Sequence, residues 1–215
     1  MKKIVRHILI VLALIAISLV VLRNYCPTSG LALTTQRRDF HQLKNRAALP
    51  RQSDFNARVT LEAFLRPGED QSRWSQSHAA SIEGYVVSVS SGPLESANCF
   101  CHRDTHIMLA LRPDAPPRQQ IVVEVTPCIN GNAQALAPGF QLASPGKTNE
   151  IVPLTDWSEE TLKHELTGRR VRFEGWLFFD SHHAAEAENT APGRANNWRA
   201  TAWELHPVTK IEILR

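Results

Sequence analysis

The sequence predicts a mainly β protein whose strands close into one small barrel. Five runs of residues alternate apolar and polar side chains with the period of two that marks a strand with one buried face. One helical pattern separates the third run from the fourth. Gly84 and Gly175 fall inside the runs, where glycine permits the sharp coiling that a barrel needs.

The composition bounds the class of protein and its partners. A chain of 215 residues, of which 43% are hydrophobic, can bury an ordinary globular core. The net charge is +3, but residues 1–30 hold Lys2, Lys3, Arg6 and Arg23 and no acidic residue. The rest of the chain is therefore close to neutral, and without a general positive field we do not expect nucleic acid as a partner.

The N-terminal charges precede an apolar run that predicts a membrane segment. Ile8–Leu22 contains Ser18 as its single polar residue. As a helix it spans ~22 Å, against ~30 Å for a bilayer core, so flanking side chains must extend to the interface if it crosses. We favour an uncleaved single-pass anchor in the inner membrane, and a secretory signal cleaved after Ala32 is the alternative. In both cases the main domain is expected outside the cytoplasm, in the periplasm or secreted.

The remaining chain divides into three predicted parts after the signal-anchor of residues 1–22. Residues 23–53 contain Pro27, Gly30, Pro50, several basic residues and little periodicity, and they predict a juxtamembrane spacer. Residues 54–80 form a short helical lead-in, which Asp54 caps and Pro67 and Gly68 end. Residues 81–215 form the barrel domain.

The barrel domain is built from five strands and one helix. The strands are expected at Ser81–Ser90, Thr105–Leu111, Ile121–Thr126, Arg170–Phe179 and Thr201–Leu214. The helix lies between the third and fourth strands, with Thr155 or Asp156 at its start and Gly168 at its end. This element order is that of the five-stranded OB-like Greek-key barrel.

The apolar positions of these strands define the predicted core. On each strand they share one face and leave the other to polar residues. The core set is Ile107, Leu109, Leu111, Ile121, Val123, Val125, Val171, Phe173, Leu177 and Phe179.

Three strand motifs resemble a known group of proteins. "DTHIMLAL", "IVVEVTP" and "WRATAWELHPVTKIEI" are similar to the D-x-H-h, E-h-x-P and E-h-H-P-V strands of uncharacterised bacterial exported proteins with an OB-like domain. The likeness covers roughly Leu61 to Leu214, and the last motif is its most distinctive part. The resemblance implies the fold. It implies no activity, because none is established for that group.

The face opposite the core carries the candidate site. Asp104 and His106 alternate with Ile107, while Glu204 and His206 alternate with Leu205. If the apolar set fills the barrel, these ionisable groups lie together on its outer surface. The candidate ligand or metal residues are Asp104, His106, Glu124, Asp180, His182, Glu204 and His206.

Two interpretations of this set stay open. Imidazole and carboxylate ligands suit Zn or Mn, and such a pair also transfers protons. Alternatively, the imidazoles hydrogen-bond carboxylates and hold the strand ends, with Pro207 at a bulge or edge. Isolated His/Glu pairs in strands more often have the structural role.

The cysteines favour a disulfide over a metal site. "CFCHRDTH" places Cys99, Cys101, His102 and His106 in a spacing that resembles soft-metal ligation. An exported domain meets an oxidising compartment, however, where a disulfide from Cys99 or Cys101 to Cys128 is the expected outcome.

The sequence therefore favours an extracytoplasmic, membrane-tethered OB-like module that binds its ligand without transforming it. An envelope protein or a glycan is a candidate partner, since Trp198 and Arg199 could stack on a sugar. One alternative is a metal-dependent hydrolase that acts on a phosphoester with the His/Glu/Asp cluster. Another is a structural interaction module of the cell envelope.

Overall fold

The structure, a computed structural model, describes residues 2–24, 26–127, 151–154 and 156–214. The strands in these residues are β1 (Ala79–Ser91), β2 (Thr105–Ala110), β3 (Ile121–Val125), β4 (Ile151–Pro153), β5 (Arg170–Phe179) and β6 (Trp203–Leu214). β1 pairs antiparallel with β2 and β5, β2 with β3, and β5 with β6. The parallel pairing of β3 with β6 closes these five strands into a barrel, as the sequence predicted. The short strand β4, which was not predicted, pairs with the end of β6.

Four helices are described alongside the sheet. They are α1 (Lys2–Asn24), α2 (Thr35–Lys44), α3 (Leu61–Leu65) and α4 (Glu159–Leu166). α3 and α4 lie in the predicted helical segments, but their N-caps are Thr60 and Ser158. The predicted cap Asp156 instead accepts a hydrogen bond from the backbone of Ser158 at 2.9 Å. Thr155 lies outside the described residues.

The core lies inside the barrel and follows the predicted alternation. Ile107, Leu109, Val123, Phe173 and Leu177 are fully buried, and each such side chain contributes about 1.5–3 kcal/mol of hydrophobic stabilisation. α3 and α4 add their buried apolar faces to the same core. The expectation for Leu111 was wrong, because β2 ends at Ala110 and leaves the Leu111 side chain 44% exposed.

A bulge in the β5–β6 pairing lies at Gly175 and Pro207. The register shifts on both sides of Gly175, between the pairs Glu174–Lys210 and Leu177–Leu205. A Cβ atom at position 175 would lie 2.8 Å from the carbonyl oxygen of Pro207. Only glycine allows β6 to approach β5 this closely, and Pro207 lies in the bulge as the sequence suggested.

The stretch predicted as a spacer is folded onto the barrel. A disulfide joins Cys26 to Cys99 in the loop between β1 and β2. Asn45 Nδ2 donates to the carbonyl oxygen of Ala97 at 2.8 Å, and Trp176 Nε1 donates to that of Ala48 at 2.7 Å. α2 is therefore held against the outer face of the sheet as a second layer.

α1 begins with a basic stretch and continues as an apolar helix. Its large apolar side chains from Ile4 to Val21 are 48–66% exposed. In the described part of the chain, no helix combines the length and the hydropathy that crossing a membrane requires.

Candidate functional site

Three strands bring the predicted polar residues to one face of the sheet. His106 of β2 lies opposite Glu124 of β3, and β3 runs parallel to β6 with Val123 beside Leu205. Because successive side chains of a strand point to opposite faces, the polar residues project away from the core pair Val123 and Leu205. We call this set the polar wall; its members are Asp104, His106, Glu124, Glu204 and His206.

α2 covers the polar wall. The Phe40 ring lies 5.0 Å from the Phe178 ring, which in turn lies 5.3 Å from the His206 ring. Lys44, at the end of α2, places its Nζ 3.8 Å from Asp104 Oδ2. As a result Glu124 is 3% exposed and His206 is fully buried. The sequence placed these groups on the outer surface of the barrel. They lie outside the barrel, but four of the five are buried, and His106 keeps a partly exposed side chain.

Glu124 and His206 form the centre of the polar wall. Glu124 Oε2 lies 2.9 Å from His206 Nδ1, and Glu124 Oε1 lies 3.1 Å from His106 Nε2. His206 Nδ1 also lies 3.3 Å from Glu204 Oε2, while its Nε2 lies 3.0 Å from Thr126 Oγ1. The His206 ring is therefore held at both of its nitrogen atoms.

The charges of Glu124 and His206 support each other. Burial lowers the pKa of His206, but the Glu124 charge and the hydrogen bonds that the imidazole donates to both carboxylates raise it to about 10. Burial also opposes ionisation of Glu124, yet the positive charges of His206, His106 and Lys44 hold its pKa well below the usual value. The two residues therefore form an ion pair at neutral pH.

Arg199 extends the network from Glu204 to Asp180. Its fully buried guanidinium donates to Glu204 Oε1, and its Nη2 lies 3.2 Å from Asp180 Oδ2. Asp180 Oδ2 also lies 2.5 Å from His183 Nδ1. Burial and the neighbouring Glu124 and Asp180 charges raise the pKa of Glu204, and the charge of Arg199 opposes this effect.

Asp104 and Lys44 form the other branch. Asp104 Oδ2 accepts a hydrogen bond from Asn98 Nδ2 at 2.9 Å, and Lys44 Nζ donates to Glu95 Oε2 at 2.7 Å. Asp104 Oδ1 is buried and has no hydrogen-bond partner in the described part of the chain. Burial raises the pKa of Asp104, and the nearby charge of Glu124 adds to this effect. Lys44 stays charged, because the surrounding carboxylates raise its pKa although burial lowers it.

Asp104, Glu124 and His206 could hold a metal ion. One ligand atom from each lies within 4.8 Å of the others, and all three residues are buried. Two carboxylates and one imidazole suit Zn or Mn. The contact from His206 Nε2 to Thr126 is the kind of second contact that orients a metal-binding imidazole.

Of the two remaining candidate residues from the sequence, Asp180 belongs to the network and His182 does not. Asp180 joins the network through Arg199, as described above. His182 does not join through its side chain: its ring packs on Phe40 with centroids 4.4 Å apart, and only its backbone nitrogen donates to Asp180. The imidazole that contacts Asp180 belongs to the next residue, His183.

Sequence reasoning missed Lys44 and the role of Arg199, the two buried cations of the network. Arg199 was expected to stack on a sugar, but it is fully buried and pairs with Glu204 and Asp180. Arg199 precedes β6, where no alternation of side chains assigns it to a face. Its closeness to Glu204 in the sequence was the one available signal. Lys44 gave no signal, because it lies in a stretch without apolar periodicity.

The disulfide pairs Cys99 with Cys26, so the predicted bridge from Cys99 to Cys128 was wrong, while the alternative bridge from Cys101 ends at a residue outside the described part of the chain. Cys99 is bonded to Cys26, so it is unavailable to Cys128 and cannot supply a thiolate to a soft metal. Cys101 is a half-buried free thiol. Cys128 lies outside the described residues.

Comparison of the chain with protein-family models, with curated proteins and with solved structures finds no match. The function proposed below therefore rests on the arrangement of the polar wall.

Proposed function

We propose that the chain is an extracytoplasmic, membrane-tethered OB-like module that binds a ligand at the polar wall without transforming it. Barrel closure through a parallel β3–β6 pair, with α4 between β3 and β5, supports the OB-like Greek-key assignment. The resemblance to uncharacterised exported proteins also implies an OB-like domain, and it stays a prediction.

Two observations support the location. The Cys26–Cys99 disulfide fits an oxidising compartment outside the cytoplasm. The exposed apolar side chains of α1 follow Lys2, Lys3 and Arg6, the order that keeps a positive N-terminus inside the cell. Insertion of α1 as a tether, or its use as a cleaved signal, is part of the proposal.

The observation that carries the binding function is a buried oxygen atom of the polar wall, Asp104 Oδ1, that has no hydrogen-bond partner among the described residues. A general base has to reach its substrate, whereas Glu124, Glu204 and His206 are buried and contact one another, and His106 is the one partly exposed member of the polar wall. Asp104 Oδ1 retains the capacity to accept a ligand, because a buried oxygen without a partner is costly. This combination favours binding over catalysis.

The test is a thermal-shift panel on the full-length chain in detergent. The panel contains divalent cations, small amines and soluble oligosaccharides. We expect at least one class to raise the melting temperature of the wild type but not of Asp104→Asn. Glu83→Gln is the matched control, because Glu83 pairs with Arg172 away from the polar wall. If no class shifts the wild type while Asp104→Asn melts much lower, the polar wall is structural and the binding proposal is wrong.

A metal-dependent hydrolase is the second candidate, and the grouping of Asp104, Glu124 and His206 favours it. Hydrolysis of bis(p-nitrophenyl) phosphate with added Zn²⁺ or Mn²⁺ separates the two. A hydrolase turns the substrate over and loses this activity in His206→Gln. A binding module leaves the hydrolysis rate at that of the buffer.

A further inference from the structure

We propose that Asp104, Glu124 and His206 bind a divalent transition-metal cation, and that Lys44 occupies the charge position of that cation in the metal-free protein. The inference rests on the proposed binding function of the polar wall and names the class of its ligand.

The donor set fits this class of ion. The three residues come from the start of β2, from β3 and from β6, and their ligand atoms lie within 4.8 Å of one another. Carboxylate oxygen and imidazole nitrogen are ligands of Zn²⁺ and Mn²⁺, whereas Ca²⁺ prefers oxygen alone.

Asp104 provides a second and independent observation. Its side chain is buried, and Oδ2 already accepts from Asn98 Nδ2 at 2.9 Å. Oδ1 has no hydrogen-bond partner among the residues that the structure describes. A bound cation would supply that partner.

His206 is already oriented for coordination. Its Nδ1 faces Glu124 and Glu204, and its Nε2 is held by Thr126 at 3.0 Å. Metal binding would release the Nδ1 proton that His206 directs at Glu124, after which Nδ1 faces the metal while Nε2–H donates to the threonine hydroxyl.

Lys44 provides the competing positive charge. Its Nζ lies 3.8 Å from Asp104 Oδ2. The same Nζ lies 2.7 Å from Glu95 Oε2, which holds the ammonium group beside the site. In the metal-free protein Lys44 and the protonated His206 together balance Asp104 and Glu124, and a divalent ion that displaces Lys44 and the His206 proton supplies the same two charges. Because Lys44 comes from α2 and not from the barrel, a metal ion can take its place without any change in the strands.

The experiment measures metal binding by the full-length chain in detergent. Zn²⁺ and Mn²⁺ are titrated, and bound metal is counted by elemental analysis after dialysis. We expect one equivalent in the wild type and less than one tenth of that in Asp104→Asn and His206→Gln. Lys44→Gln should bind about tenfold more tightly or better, because a competing unit charge is removed from a buried site.

Lys210→Gln is the matched control for the lysine variant. Lys210 also contacts two carboxylates, Glu174 and Glu212, but it is 47% exposed, and neither carboxylate belongs to the polar wall. Its affinity for metal should equal that of the wild type.

Three results would overturn the inference. The first is less than one equivalent of bound metal in both the wild type and Lys44→Gln. The others are equal metal affinities of Lys44→Gln and Lys210→Gln, or bound metal that persists in Asp104→Asn and His206→Gln. The gain expected in Lys44→Gln keeps the test decisive even if the ligand variants fold poorly. An amine or oligosaccharide that shifts the melting temperature while metals do not would sink this inference and leave the proposed binding function standing.

Discussion

Asp180 and His183 show how one residue controls the charge of another in this protein. Burial raises the pKa of Asp180, but the hydrogen bond from His183 and the charge of Arg199 outweigh it and hold the pKa below the usual value. The same hydrogen bond raises the pKa of His183 above its usual value, against the effect of its partial burial. Both side chains are therefore charged over a wide range of mildly acidic pH.

The stabilising effect of His183 should depend on pH in a defined direction. Because its folded pKa is raised, its contribution is fully present below pH 6.5 and is lost as the pH rises through the raised value. The depressed pKa of Asp180 means that its contribution is present above pH 3.8 and is lost only as the pH falls through that depressed value. We expect His183→Gln to cost up to about 1 kcal/mol near pH 5 to 6 and much less near pH 9, since the imidazole is partly exposed to solvent screening.

Urea unfolding across this pH range measures the effect. In an Asp180→Asn background, His183→Gln should change the free energy of unfolding by a smaller amount that does not vary with pH. An equal loss at all pH values in the native background would show that the contact contributes no charge interaction.

Most of the polar wall could be predicted from the sequence, because its members lie in strands. The alternation of Glu204 and His206 with Leu205 assigns them to one face, whatever the closure of the barrel. Lys44 and Arg199 could not be found in this way. Neither lies in an alternating run, and only tertiary packing buries them.

At the scale of elements, α2 depends on its covalent and polar attachments. The helix has few apolar residues, and its buried positions are His41 and Lys44. This is why no helical stripe was visible in the sequence. The disulfide at Cys26 and the hydrogen bonds of Asn45 fix the two ends of the segment that contains α2.

Removal of the disulfide should therefore destabilise the protein substantially. The bond closes a loop with a sequence separation of 73 residues, for which the chain-entropy model gives about 4 kcal/mol. We expect the double variant Cys26→Ser/Cys99→Ser to lose about this much free energy of unfolding in urea. Cys101→Ser is the control and should lose less than about 1 kcal/mol, because that half-buried thiol closes no loop.

A double variant as stable as the wild type would mean that α2 holds its place without the bond. Amide hydrogen exchange in α2 would then be as slow as in the wild type. Faster exchange confined to α2 is the outcome that the structure predicts.

At the scale of the whole molecule, the barrel and its cover share one cooperative structure, whereas α1 stands outside it. The apolar faces of α1 are exposed, and the stabilising contacts described above begin at Cys26. Deletion of residues 1–25 should leave the melting temperature of the domain within about 2 °C of the wild type.

Deletion of residues 1–50 provides the comparison. It removes the disulfide, Phe40 and Lys44, and it leaves the polar wall without its cover. We expect the melting temperature to fall by about 10 °C or more in calorimetry, given about 2–4 °C per kcal/mol for a domain of this size. Equal melting of the two truncated chains would show that the cover adds nothing to the stability of the barrel.

The barrel was predictable as a whole because each strand repeats the same simple pattern. The cover was not, since it buries polar groups against polar groups and follows no period. β4 is too short to show alternation, so its addition to the end of β6 could not be predicted either.

The position of the Cys26–Cys99 bond has a mechanical consequence. If the N-terminus is held and the barrel is pulled, tension passes from Cys26 directly to Cys99 and bypasses residues 27–98. The load enters the sheet at β2, while α2 carries none of it. A chain attached to a moving surface could in this way be stretched while Lys44 keeps its contacts with Glu95 and Asp104.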